Sequence, residues 1–176
     1  MLPQTVNAYY SPNRNEIVFP AAILQPPFFN IAADPAINYG AIGAVIGHEL
    51  GHGFDDQGSK SDGDGVLRNW WSDADRQAFE DKTDALVGQY DAFCPLDGGD
   101  TCINGRLGLG ENSGDLGGLS MALKAYKMSL DGNGDGRISA DEQAPVIGGY
   151  TGEQRFFMAW AQAWRSKYRE QALRQQ

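Results

Sequence analysis

Residues 44–52 read Ala-Val-Ile-Gly-His-Glu-Leu-Gly-His, and this stretch governs how the rest of the chain is understood. Its two histidines, His48 and His52, stand at i and i+4, so on a helix they share one face, one turn apart. Placed that way, both imidazoles can hold a single zinc ion at about 2.0–2.1 Å. Glu49 follows His48 by about 100° around the helix, close enough to reach a water beside the ion. The pattern H-E-x-x-H is the mark of zinc peptidases, with the Glu as general base. No other histidine occurs among the 176 residues. A purely structural pair would bury unpaired imidazoles at a cost in stability with nothing to offset it.

A catalytic zinc takes three protein ligands and keeps one position for water. With both histidines used, the third ligand must be a carboxylate or a cysteine. The position where a metzincin would place its third histidine is Gly58, which excludes that pattern. Working outward, Glu111 and Asp115 in G-E-N-S-G-D-L-G-G-L are again i and i+4 on an expected helix. One could ligate while the other accepts a hydrogen bond from a histidine nitrogen and fixes its tautomer. Spacing alone leaves open a second reading, a solvated acidic helix start favoured by the helix dipole.

The surrounding chain reads as one domain over residues 1–176, α+β and mostly helical. Asn7–Tyr10 and Glu16–Phe19 flank a Ser11-Pro12-Asn13 turn and predict a short β-hairpin or a pair of edge strands. Pro26-Pro27 breaks the chain, and Phe28-Phe29 is expected in the core. The metal helix is expected over 37–53, with Ile42, Val45, Ile46 and Leu50 as its apolar face. Its glycines lower helix propensity, so it needs packing or a metal to hold it. Ser72 is an expected N-cap for a helix over 73–91, with Ala78, Phe79, Leu86 and Tyr90 inward. A helix over 111–130 would turn Leu116, Leu119, Leu123 and Tyr126 to one side. Thr151 and Gln154 resemble a capping box opening a helix over 151–174. Its stripe of Phe156, Phe157, Trp160, Trp164 and Tyr168 is expected to be core rather than a ligand site. No internal repeat is visible.

Acidic residues outnumber basic ones by 23 to 14, a net charge of −9, which repels phosphate backbones and argues against nucleic acid as a partner. No run approaches the ~20 apolar residues of a membrane span, and no targeting segment is visible, so no membrane contact is expected of this segment. Cys94 and Cys102 bracket a Gly/Asp-rich loop; turn chemistry between them favours a disulfide and an oxidising compartment.

With these features in place, the sequence resembles the neprilysin/endothelin-converting-enzyme family of zinc metallopeptidases. The matching segments are V-N-A-Y-Y at 6–10, N-E-I-V-F-P-A-A-I-L-Q-P-P-F-F at 15–29, H-E-L-G-H-G-F-D-D-Q-G at 48–58, and N-G-R-L-G-L-G-E-N-S-G-D-L-G-G-L at 104–119. The resemblance implies a zincin-like catalytic domain that hydrolyses oligopeptides with zinc. It implies Glu111 as third ligand, Asp115 as the group orienting a ligating histidine, and Asn7 and Ala8 as binders of the substrate backbone. Glu49 then takes a proton from the attacking water and delivers it to the leaving amine. Family members work outside the cytoplasm, so a periplasmic or secreted parent is expected.

Three departures accompany the resemblance. The large N-terminal region that closes over the site in such enzymes has no counterpart here. Their transition-state His and substrate-binding Arg lie beyond the matched region, and this chain ends at Gln176. One such donor is worth about 2.7–4 kcal/mol, so the alternative expectation is a zinc- and calcium-binding fragment with little or no turnover. Ser113 and Gly114 replace more helix-favouring residues and are expected to loosen Glu111.

A second metal motif runs from Asp131 to Glu142, D-G-N-G-D-G-R-I-S-A-D-E. It matches an EF-hand calcium loop position by position. Asp131, Asn133 and Asp135 would give side-chain oxygens, Arg137 its carbonyl, Ser139 a direct or water-mediated contact, and Glu142 a bidentate carboxylate. Pro145 would end a following helix almost at once, so a lone loop is expected, with calcium as a further ion that pins two helices together. Its plain alternative is a solvated Asp/Gly loop.

Overall fold

A computed structural model describes residues 1–174. Helix α1 (Pro35–Asn38) runs through a wider π turn at Tyr39–Gly43 into α2 (Ala44–Gly51), which carries His48 and Glu49. His52 caps α2 with helical backbone angles, so it completes the same turn. Sequence reading expected one uninterrupted helix with Ile46 and Leu50 inward. Instead Ile42 and Val45 are buried, while Ile46 and Leu50 are 39% and 47% exposed. The face that packs is the one with the smallest side chains, because it meets another backbone. A Cβ on Gly47 would sit 2.6 Å from the carbonyl oxygen of Gly118, and one on Gly118 would sit 2.4 Å from the His48 nitrogen.

Gly118 belongs to α4 (Leu109–Leu130), which crosses α2 at this point. The helix is continuous through Ser113 and Gly114, and Gly114 lies against the His48 ring, where a Cβ would be 3.0 Å from Nδ1. Leu119, Leu123 and Tyr126 face inward as expected, but Leu116 is exposed.

Two apolar clusters flank the α1–α2 run. On one side Ala36 and Ala44 pack with Ala122, Tyr126 and Phe156. On the other, Ile42 and Val45 pack with Ala8 and Ile23, supported by Phe19, Phe28 and Phe29. The second cluster docks the hairpin of β1 (Tyr9–Ser11) and β2 (Glu16–Val18), antiparallel with Tyr10 opposite Ile17. The hairpin and the Phe28-Phe29 plug therefore follow the sequence reading.

Helix α3 (Asp73–Asp91) begins where expected, with the Ser72 hydroxyl accepting from the Asp75 N–H. Its buried residues are Thr83 and Val87, not Ala78, which is exposed. Helix α5 (Gly152–Ala163) opens on a complete Thr151/Gln154 capping box. It stops well short of the expected residue 174, and only a short α6 (Glu170–Leu173) follows. No residue after Ala159 is buried among those described, so the later segment has no buried anchor to extend the helix. Arg155 is buried; its Nε donates to Asp34 at 2.7 Å and its Nη1 to the carbonyls of Pro145 and Tyr150, tying α5 to the start of α1. Cys94 and Cys102 form a disulfide.

Candidate metal centre

The crossing of α2 and α4 sets the geometry of the site. Because Gly47 and Gly118 let the backbones touch, Glu111 on the first turn of α4 arrives over the His48–His52 face. The ligand atoms of His48, His52 and Glu111 all lie within 4.8 Å of one another. Glu111 Oε2 is 3.3 Å from His48 Nε2, and its Oε1 is 3.9 Å from His52 Nε2. The two rings stand nearly perpendicular, 4.6 Å between centroids. Two imidazoles and one carboxylate, converging from two helices, are the donor set of a catalytic zinc site with one position left open.

Each histidine is held from behind. His48 Nδ1 donates to Asp115 Oδ1 at 2.7 Å, and His52 Nδ1 donates to Asp55 Oδ2 at 2.8 Å. A carboxylate can only accept, so each Nδ1 carries a proton, and each Nε2, the ring atom left for a metal, faces the common centre. Asp115 was singled out in the sequence; Asp55 was not. Its other oxygen accepts the N–H groups of Gln57 and Gly58, which fixes it in the turn just after α2. Burial opposes ionisation of Asp55, but the hydrogen bonds from His52, Gly58 and Gln57 outweigh it and lower its pKa. The signal available in the sequence was H-x-x-D, an acidic residue one turn beyond the second histidine.

The electrostatics call for a cation. Burial opposes charge on His48, yet hydrogen bonds to Asp115 and Glu111 outweigh it and raise its pKa to about 10. His52 is raised as well, first by its bond to Asp55. Glu111 is lowered, chiefly by its bond to His48. Three carboxylates thus surround two imidazoles, and the residues present fit a divalent ion. Glu49 is different: it is 5% exposed, burial raises its pKa against the pull of His48 and His52, and its Oε2 has no partner.

These groups open onto a cavity of about 400 Å³. Asn7–Tyr10, the segment that leads into β1, lines it, so Asn7 and Ala8 lie beside the His48–His52–Glu111 cluster. Trp160 and Trp164 line it as well. The expectation that the aromatic stripe is core rather than a ligand site is therefore corrected in part: Phe156 is fully buried, whereas Trp164 is 53% exposed and lines the cavity. Both are large aromatics on one i, i+4, i+8 row of the sequence, so the pattern alone does not separate them. The calcium-loop residues Asp131, Asn133, Asp135, Arg137, Ser139 and Glu142 lie apart, between α4 and α5, and no helix follows them before α5.

A helix-borne H-E-x-x-H face, a carboxylate from a second helix and a buried Glu beside them define a zincin-type metallopeptidase fold. The model of peptidase family M13 matches residues 7–176, and the chain belongs to that family. It is 46% identical to Neprilysin-11 of Caenorhabditis elegans over 99% of this chain and 20% of that protein. It is 47% identical to Endothelin-converting enzyme 1 of Mus musculus over 93% of this chain and 20% of that protein. Among solved structures, the zinc metalloprotease ZMP1 of Mycobacterium tuberculosis, crystallised with an inhibitor, superposes with a TM-score of 0.86 at 60% identity, covering 96% of this chain and 25% of that one. The chain therefore spans about a fifth of the length of these curated relatives.

Proposed function

We propose that this chain is the single catalytic domain of a zinc-dependent metalloendopeptidase that cleaves oligopeptides. The observation that carries this reading is the convergence of both Nε2 atoms and Glu111 on one centre, with each Nδ1 locked by its own carboxylate. His48, His52 and Glu111 would hold zinc, which when bound supplies Lewis-acid charge that polarises a carbonyl oxygen and acidifies water. Asp115 and Asp55 keep both imidazoles in the ligating tautomer.

Glu49 serves as general base and acid. Its buried, unpartnered Oε2 takes the proton of the attacking water and returns it to the leaving amine; the raised pKa brings the carboxyl closer to neutrality, where such a shuttle works best. The sheet has two strands, so β1 keeps one unpaired edge. The Asn7–Tyr10 segment lines the cavity and would take the peptide by strand addition, which favours backbone over sequence. Trp160 and Trp164 give an apolar wall for a substrate side chain. The Cys94–Cys102 disulfide supports an extracytoplasmic site of action. Among the described residues, no helix is long and apolar enough to cross a membrane.

The test is hydrolysis of a quenched fluorescent peptide by the zinc-loaded chain beside Glu49→Gln. The variant is expected to retain zinc and lose about 10²–10⁴-fold in rate. Equal rates would remove the catalytic reading. A second reading is supported by the chain's span of only a fifth of its relatives: a zinc-holding domain with little turnover by itself. It predicts stoichiometric zinc with no rate above the Glu49→Gln background.

A further inference from the structure

We propose that residues 131–142 bind one calcium ion, which staples the connection between α4 and α5. Carboxylates gathered on a surface loop are not in themselves a site, but this loop matches the calcium pattern at its neutral positions too. Gly136 stands at the sixth position with φ +79°, where the loop must turn sharply and a side chain would be strained. Ile138, at the eighth position, is half-buried although the segment Gly132–Arg137 before it is exposed. Together with Tyr126, Leu130 and Ala144 it lines a cavity of about 380 Å³ between α4 and the start of α5. The apolar anchor of the motif is therefore turned to the cavity, while Asn133, Asp135 and Ser139 are exposed and Asp131 and Glu142 are half-buried at the two ends of the loop.

The loop's negative charge is not answered from elsewhere in the fold. Among the described residues, no Lys, Arg or His comes within 4.0 Å of a carboxylate oxygen of Asp131, Asp135, Asp141 or Glu142. Backbone N–H groups fill part of that role: Glu142 Oε1 accepts from Gly132 and Asn133, and Asp131 Oδ2 from Gly136. A hard divalent cation with oxygen ligands meets the remaining demand. Both ends of the loop are fixed, since Leu130 packs on the core and Arg155 holds the Pro145 carbonyl. Binding between fixed ends stabilises the connection without moving the helices. Glu111 lies near the far end of α4, roughly 30 Å away at 1.5 Å per residue, so the zinc centre is unaffected.

The experiment is isothermal titration of the zinc-loaded chain with calcium chloride, with magnesium chloride as the comparison. One calcium site is expected, in the range of roughly 10⁻⁴–10⁻³ M seen for extracellular modules. Glu142→Gln and, separately, Asp131→Asn should each weaken it by at least about tenfold, through lost ligand charge, with zinc content unchanged. The wild-type titration decides by itself: no saturable calcium binding up to about 10 mM, ten times the weak end of that range, overturns the proposal. Binding of undiminished affinity in both variants overturns it as well, by placing the ion elsewhere.

Discussion

At the scale of single residues, the site rests on pairs in which one carboxylate governs one imidazole. Asp55 is the clearest case, because it holds His52 with one oxygen and the following turn with the other. Asp55→Asn keeps an acceptor for the turn but removes the charge that favours the Nδ1–H tautomer. Zinc affinity, measured by competition with a chromogenic chelator, is expected to fall about 10–100-fold. Asp115→Asn should do the same through His48. Unchanged affinity in both variants would mean that the histidines are oriented by packing alone. Glu111→Ala should be more severe than either, since it removes a donor atom rather than its support.

At the scale of elements, the α2–α4 crossing positions everything else, and adjacent glycines of α4 should respond with opposite signs. Gly118→Ala would drive a methyl to 2.4 Å from the His48 backbone nitrogen and 2.7 Å from the Ala44 oxygen. Neither atom can rotate away, so the helices must separate, and both melting temperature and zinc affinity are expected to drop. A Cβ on Gly117 meets nothing within 4 Å. Gly117→Ala should therefore stabilise the chain by about 0.5–1 kcal/mol through helix propensity alone. Thermal melts of the two variants, with zinc content, check the pair; similar shifts in both would refute the close-packing argument. The same crossing explains what could and could not be read from the sequence. The Ser72 and Thr151 caps were legible because capping is a local contact. The convergent pair His48 and His52 was legible because i and i+4 is a local spacing. Ile46 and Leu50 were misplaced because hydrophobicity marks a packing face only when side chains do the packing, and here glycine backbones do. Trp164 was misplaced because nothing local distinguishes an aromatic in the core from one that faces a cavity formed largely by residues distant in sequence. Asp55 was missed because it lies beyond the helix, in a turn whose shape the pattern does not specify.

At the scale of the whole molecule, zinc is expected to be a structural as well as a chemical component. The proposed donors come from α2 and its C-cap His52 on one side and from α4 on the other, so binding would close the chain segment between His52 and Glu111 at the main helix contact. An ion that binds only the folded chain adds about 2.7 kcal/mol at a free concentration of a hundred times its dissociation constant. For a domain of this size each kcal/mol moves the melting temperature by about 2–4 °C, so chelation should lower it by about 5–10 °C from that level of saturation. The shift should vanish in Glu111→Ala and persist in Glu49→Gln, because only the first loses a donor. Coincident melts with and without chelator, in protein shown to hold one zinc per chain, would mean that the ion fits a framework already rigid without it. Calcium at the 131–142 loop should add its own stabilisation independently, since sites separated by more than about 10 Å and sharing no partner are additive. Melts with each ion alone and with both would then give shifts that sum, and a shift from both that differs from the sum would place the two ions in one coupled unit.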